Sequence, residues 1–138
     1  MTLTAERPLD ARTILVLPAA NRVTGIARRV MSHQLTEHGA QRDLIEDAEL
    51  VLSELVTNAL QHGSSSPDED LEVSWALTAG RLRLSVLDGG TAGDLFAGVA
   101  SDEALSGRGL AIVDCLCEQW SVDHDGGTRV TAELASAV

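Results

Sequence analysis

Two runs of alternating side chains around one tight turn limit the folds open to this chain more than any other feature. Leu71, Val73, Trp75 and Leu77 recur at every second position, Ala79-Gly80 turns the chain, and Leu82, Leu84 and Val86 alternate on the return. Successive side chains of a strand point to opposite faces, so the pattern describes a β-hairpin with one apolar face. That face needs a covering layer.

The flanking sequence supplies the layer. Thr13 to Leu17 reads as a short strand closed by Pro18. From Ala19 to His38, Val23, Ile26, Ala27, Val30, Met31 and Leu35 recur at helical spacing, and Gly39 is the stop. A second helix is predicted from Asp43 to Gln61, with Leu44, Ala48, Val51, Leu52, Leu55 and Ala59 as its core stripe and Gly63 beyond its end. Leu110, Ile112, Val113, Leu116 and Cys117 mark a third helix. Trp120 to His124, the turn Asp125-Gly126-Gly127 and the run Thr128 to Leu134 predict a closing hairpin. The expected fold is α+β: a two-layer sandwich of one mixed, mostly antiparallel sheet with three helices on one face. Residues 1–11 are polar and read as a flexible N-terminus, and residues 12–138 as a single domain. Thr91 to Ser106, rich in Gly and Ala without a firm period, reads as a mobile loop.

Charge narrows the function classes. All ten cations are arginine, against 21 Asp and Glu, for a net charge of −11. Without lysine the chain can form neither a Walker-type phosphate loop nor a lysine Schiff base. The acidity disfavours nucleic-acid backbones, whose affinity rests on Lys and Arg, and suits a basic protein partner. Neither a signal peptide nor a membrane-length apolar run is present, so a cytoplasmic location is expected. Cys115 and Cys117 have no second pair to complete a zinc site and read as reduced, buried core residues.

Three short segments carry the chemistry. Glu54, Asn58 and His62 are spaced i, i+4, i+8 along one drifting helix stripe, beside the apolar stripe. Asn58 offers a hard neutral oxygen of the kind Mg²⁺ accepts, and Glu54, a turn earlier, can take a proton from a hydroxyl. Taken alone, Glu and Asn on a helix more often form a solvated face, and His62 in a last turn fits a favourable dipole interaction. Asp88 ends a strand before Gly89-Gly90, where a carboxylate can accept from an exocyclic amine and glycines admit a flat base. Alone, it reads rather as a turn after a strand. Gly107-Arg108-Gly109 opens the third helix, whose free N–H groups suit an anion, with Arg108 adding charge suited to phosphate.

In order and separation these segments resemble the GHKL ATPase superfamily, the Bergerat fold shared by gyrase, the mismatch-repair MutL proteins and histidine kinases. More narrowly, Glu54-Leu-Val-Thr-Asn58-Ala59 followed by His62, together with Ser106-Gly-Arg-Gly-Leu-Ala-Ile-Val113, is similar to the stand-alone anti-sigma factor serine/threonine kinases. The resemblance runs from about Leu17 to Leu134. It implies Glu54 as catalytic base and Asn58 as magnesium ligand. It places Asp88 and Gly90 at the adenine, assisted by Thr128, and Gly107, Arg108, Gly109 and Leu110 at the phosphates. His62 belongs to the same nucleotide-binding motif. One departure stands in the first glycine box, where Ala92 occupies a position often held by glycine.

The resemblance further implies ATP or ADP with Mg²⁺ as ligands, and two protein partners, an alternative sigma factor and an anti-sigma factor antagonist. It also implies a homodimer, for which the apolar face of the first helix is the sequence's own support. Neither nucleic acid nor membrane is expected as a partner. The expected activity is ATP-dependent protein serine/threonine phosphorylation. The alternative is a nucleotide-binding anti-sigma switch that phosphorylates nothing, against which an intact Glu54 argues. A histidine kinase catalytic fragment would need a helical hairpin with a phosphoacceptor His, for which the chain has no room.

Overall fold

Ala79 and Gly80, at φ 51° and 80°, turn the chain between two antiparallel strands paired from Leu71–Asp88 to Thr78–Arg81. Positive φ at both central residues is the requirement of a type I′ turn, whose twist matches that of the strands it joins. The computed structural model describes residues 12–18, 20, 22–63, 70–88, 111–123 and 127–135. Its elements are β1 (Arg12–Pro18), α1 (Val23–Glu37), α2 (Arg42–Asn58), β2 (Asp70–Thr78), β3 (Arg81–Asp88), α3 (Ala111–Leu116), β4 (Gln119–Asp123) and β5 (Thr128–Ala135). The flexible N-terminus predicted over residues 1–11 and the loop predicted over residues 91–106 lie outside the described residues.

The five strands form one sheet in the order β1-β2-β3-β5-β4. The mixed sheet expected from the sequence is antiparallel in all four pairings. The reason is topological. The connection through α3 returns β4 in the same direction as β3, but β5 inserts between them, so these two parallel strands never form a hydrogen-bonded ladder.

The helices pack on one face of the sheet. Leu71, Val73 and Trp75 of β2, Leu82, Leu84 and Val86 of β3, and Ala132 and Leu134 of β5 are buried against the helices. From α1 come Val23, Ala27, Met31 and Leu35, and from α2 Leu44, Ala48, Val51, Leu52, Leu55 and Val56. Most of these are the periodic residues the sequence singled out; Val56 is added, while Ile26 is exposed and Val30 and Ala59 are partly buried. Most of the apolar face of α1 is thereby used by the molecule's own core, and of the residues offered as support for a homodimer only Ile26 remains exposed.

A polar tie crosses the layers where β1 meets α1. Gln34 Oε1 accepts from Thr13 Oγ1 at 2.5 Å and from Trp75 Nε1 at 3.2 Å, joining both strands to the helix. Helix α1 starts at Val23 rather than Ala19, with Arg22 at its N-cap and no side-chain cap. It ends in a Schellman motif: Ala40 N–H donates to Leu35 O and Gly39 N–H to Thr36 O, with Gly39 at φ +80°. No helix among the described residues is long and apolar enough to cross a membrane.

The cysteine expectation needs correction. Cys117 is half-buried against the core, but Cys115 is exposed, and both are free thiols. Two residues on a helix differ by about 200°, so once Val113 faces the core Cys115 faces outward. Burial, with Asp114 and Asp47 nearby, pushes the Cys117 thiol up to about 11.

Candidate functional site

Helix α2 delivers the first group of candidate residues. Its apolar stripe anchors it against the sheet, and the α-helix ends at Asn58, where the backbone widens into a π-helical turn, Ala59–Gly63. The sequence predicted a regular helix to Gln61; periodicity carries no sign of the wider turn. Such turns recur at functional sites because they re-aim side chains at a helix end. This one packs against β3, the strand that ends in Asp88.

Asn58 is buried, at 8% exposure. Its Nδ2 donates to the Glu54 carbonyl oxygen at 2.7 Å. That bond sets which way the amide points and leaves Oδ1 buried with no partner among the described residues. A buried acceptor without a partner costs about 1–3 kcal/mol, so this oxygen is suited to a ligand that completes it. Glu54, one turn earlier, is half-buried. The placement of both agrees with a stripe running beside the core rather than along the solvent face.

The sheet supplies the second group. Asp88 closes β3 and Thr128 opens β5, and the register pairs them directly. Both are buried, at 2% and 4% exposure, on the face the helices cover. The Thr128 hydroxyl has no hydrogen-bond partner among the described residues. Asp88 and Thr128 therefore stand opposite each other at the end of β3, and the π-helical turn that follows Asn58 packs against that same strand. Helix α3 packs against α2 in the same layer.

Other candidates are not placed. Gly90, Gly107, Arg108, Gly109 and Leu110 lie outside the described residues, and His62 is described only through the backbone of the π-helical turn. One group was passed over in the sequence. The Ser53 hydroxyl, adjacent to Glu54, is also buried without a partner among the described residues. A serine inside a helix gives no signal of its own, so nothing in the pattern could have found it.

The donor set fits a magnesium nucleotide in kind. A neutral amide oxygen is a hard ligand, a buried carboxylate is an acceptor for an amine, and a buried hydroxyl is a donor or acceptor beside it. Comparison with known proteins leads to the same place. The serine-protein kinase RsbW of Listeria monocytogenes is 26% identical over 128 residues, covering 84% of this chain and 82% of the relative. That of Bacillus licheniformis is 29% identical over 127 residues, covering 83% and 79%. A crystal structure of the RsbU and RsbW domains of a Mycobacterium tuberculosis protein superposes with a TM-score of 0.69 at 27% identity, over 93% of this chain. The chain spans 34% of that longer protein. Residues 17–134 match the histidine kinase-like ATPase domain, and on that match the chain belongs to the histidine kinase-like ATPase family.

Proposed function

We propose that the chain is a cytoplasmic anti-sigma factor with ATP-dependent serine/threonine protein kinase activity. In this reading it holds an alternative sigma factor inactive and phosphorylates the antagonist protein that would release it. The observation that carries the reading is the pairing of buried Asp88 with Thr128, whose hydroxyl has no partner among the described residues, beside a π-helical turn that follows Asn58 and packs against β3. The similarity to proteins named serine-protein kinase RsbW supports it.

The residues divide the work as follows. Asp88 accepts a hydrogen bond from the adenine amine, and the Thr128 hydroxyl assists it. Asn58 Oδ1, oriented by its own Nδ2 bond to Glu54 O, is the protein ligand for Mg²⁺. When bound, that ion offsets the charge of the β- and γ-phosphates. Gly90 gives the base close access to backbone, and Gly107, Arg108, Gly109 and Leu110 hold phosphate oxygens at the entrance to α3, with His62 nearby. Glu54 accepts the proton of the substrate serine or threonine as its oxygen bonds to the γ-phosphorus and the bond to ADP breaks. Catalysis then rests on positioning and charge rather than on a covalent enzyme intermediate.

Incubation with labelled ATP, Mg²⁺ and candidate antagonists from the same genome tests the reading. The expected result is label on an antagonist serine or threonine, abolished in Glu54→Ala while that variant still binds ADP and retains a sigma factor in a pull-down. Label transfer by Glu54→Ala at the parent rate would overturn the role of Glu54. An absence of transfer to any antagonist would overturn the kinase.

A further inference from the structure

The sheet face opposite the described helices carries a second group of polar side chains. Three strands and the edge strand meet there around a cavity of about 390 Å³. Ser74, Ser85 and Thr131 lie side by side across β2, β3 and β5, because the register pairs Ser74 with Ser85 and Ser85 with Thr131. Arg12, Arg83 and Arg129 stand around this row, and no Asp or Glu is among the described residues lining the cavity. In a chain with 21 acidic residues and ten arginines, such a lining reverses the overall charge balance.

The geometry leaves donors available. Ser74 and Ser85 are 4% and 7% exposed, on the face of β2 and β3 opposite the core side chains. Arg129 Nη1 donates to Ser85 Oγ at 2.8 Å. Its Nη2 lies 3.7 Å from Glu72, and Arg83 Nε lies 3.8 Å from Glu133. Both ion pairs are longer than hydrogen bonds, so they steady the guanidinium groups without using up their donors. Arg12 makes no ion pair among the described residues. A guanidinium carries five N–H donors in a rigid fork that matches the spacing of phosphate oxygens.

We propose that this cavity is an oxyanion site for a phosphate-class ligand. Hydroxyls on its floor and guanidinium groups on its walls meet a tetrahedral anion from several sides; a planar carboxylate presents oxygens in one plane only. The acidity of the chain opposes anions at long range, but salt screens repulsion from charges more than about 8–10 Å away. The forks act at contact. The site is distinct from the nucleotide residues: β3 and β5 present Ser85 and Thr131 to the face opposite the helices, and Asp88 and Thr128 to the covered one.

Titration of ¹⁵N-labelled protein with inorganic phosphate at constant ionic strength tests this. Saturable shifts are expected at the amides of Ser74, Ser85 and Thr131 and at the arginine side chains. The double variant Arg12→Ala/Arg83→Ala, in which Arg129 and its bond to Ser85 are kept, should bind roughly tenfold or more weakly with an unchanged melting temperature. A phosphoserine peptide in a parallel titration identifies the source of the anion. Tighter binding than inorganic phosphate at the same amides points to protein-borne phosphate, and weaker binding to the free ion; either outcome keeps the site. Shifts that never saturate, shifts confined to the neighbourhood of Asn58, Asp88 and Ala111, or a double variant that titrates like the parent would overturn it.

Discussion

Strand β3 shows two different solutions to the same problem on its two faces. Toward the helices, Leu82, Leu84 and Val86 are at most 2% exposed and are covered by apolar side chains of α1 and α2. Away from them, Arg83 is 67% exposed at its side chain, while Ser85 beside it accepts a hydrogen bond from Arg129. The first face is held by removal of apolar area from water, worth about 25 cal/mol per Å². The second is held by long ion pairs and one hydrogen bond in reach of solvent, where each exposed pair contributes about 0–1 kcal/mol. The covered face therefore sets stability, and the opposite face is free to vary or to bind.

The largest test of that division is a pair of neighbours. Leu84→Ala should lower the unfolding free energy by about 2–5 kcal/mol in denaturant titration. Arg83→Ala, one residue away on the opposite face, should change it by less than about 1 kcal/mol. Similar losses from both would show that the opposite face is structural too. Next comes the polar tie at the margin of the covered face. Gln34→Leu strands the Trp75 indole N–H and the Thr13 hydroxyl and should cost about 1–3 kcal/mol, with a change in tryptophan fluorescence.

Nucleotide binding divides along the same line. In calorimetry, Asp88→Ala should weaken ATP by about tenfold or more, since a lost partner for the adenine amine costs about 1–3 kcal/mol. Ser85→Ala, on the reverse of the strand, should leave ATP affinity unchanged. Equal effects would mean that the two faces are coupled through the sheet.

A pH effect comes from the edge of the covered layer. The Cys117 thiol is raised from 9.0 to about 11, so the unfolded chain gives up this proton before the folded one does. Its contribution to stability is complete below pH 9 and fades between pH 9 and about 11. Thermal melts across that window should fall less steeply for Cys117→Ala than for the parent. Within the same protein, exposed Cys115 should alkylate faster at neutral pH than Cys117. The smallest effect belongs to the turn joining the two strands of the hairpin. Ala79 sits at φ 51°, a region that Asn adopts more readily. Ala79→Asn should stabilise by a few tenths to about 1 kcal/mol, leaving both faces untouched.

Much of the fold was legible because its signals are local. The alternation from Leu71 to Val86 located the hairpin, and helical periodicity named the buried residues of α1 and α2 almost without exception. The order of Glu54, Asn58, Asp88 and Thr128 along the chain suggested one site, and of these the register pairs Asp88 with Thr128. The misses share a cause. The π-helical turn after Asn58, the outward direction of Cys115, the late start of α1 and the exposure of Ile26 all depend on what each segment packs against.

By itself the sequence determined which segments are strands and helices, which face of each is apolar, and which chemical groups recur in the order of an ATP-binding family. Those properties follow from periodicities of two and 3.6 residues and from residue chemistry, which act within a few positions of the chain. Only the tertiary structure decided that β5 lies between β3 and β4, that Asp88 faces Thr128, that the Asn58 amide turns its oxygen away from Glu54 O, and that Arg12, Arg83 and Arg129 surround one row of hydroxyls. Each of these joins residues far apart in sequence. Their closeness is settled by the register of hydrogen bonds between strands and by close packing of side chains, neither of which exists until the whole sheet has formed.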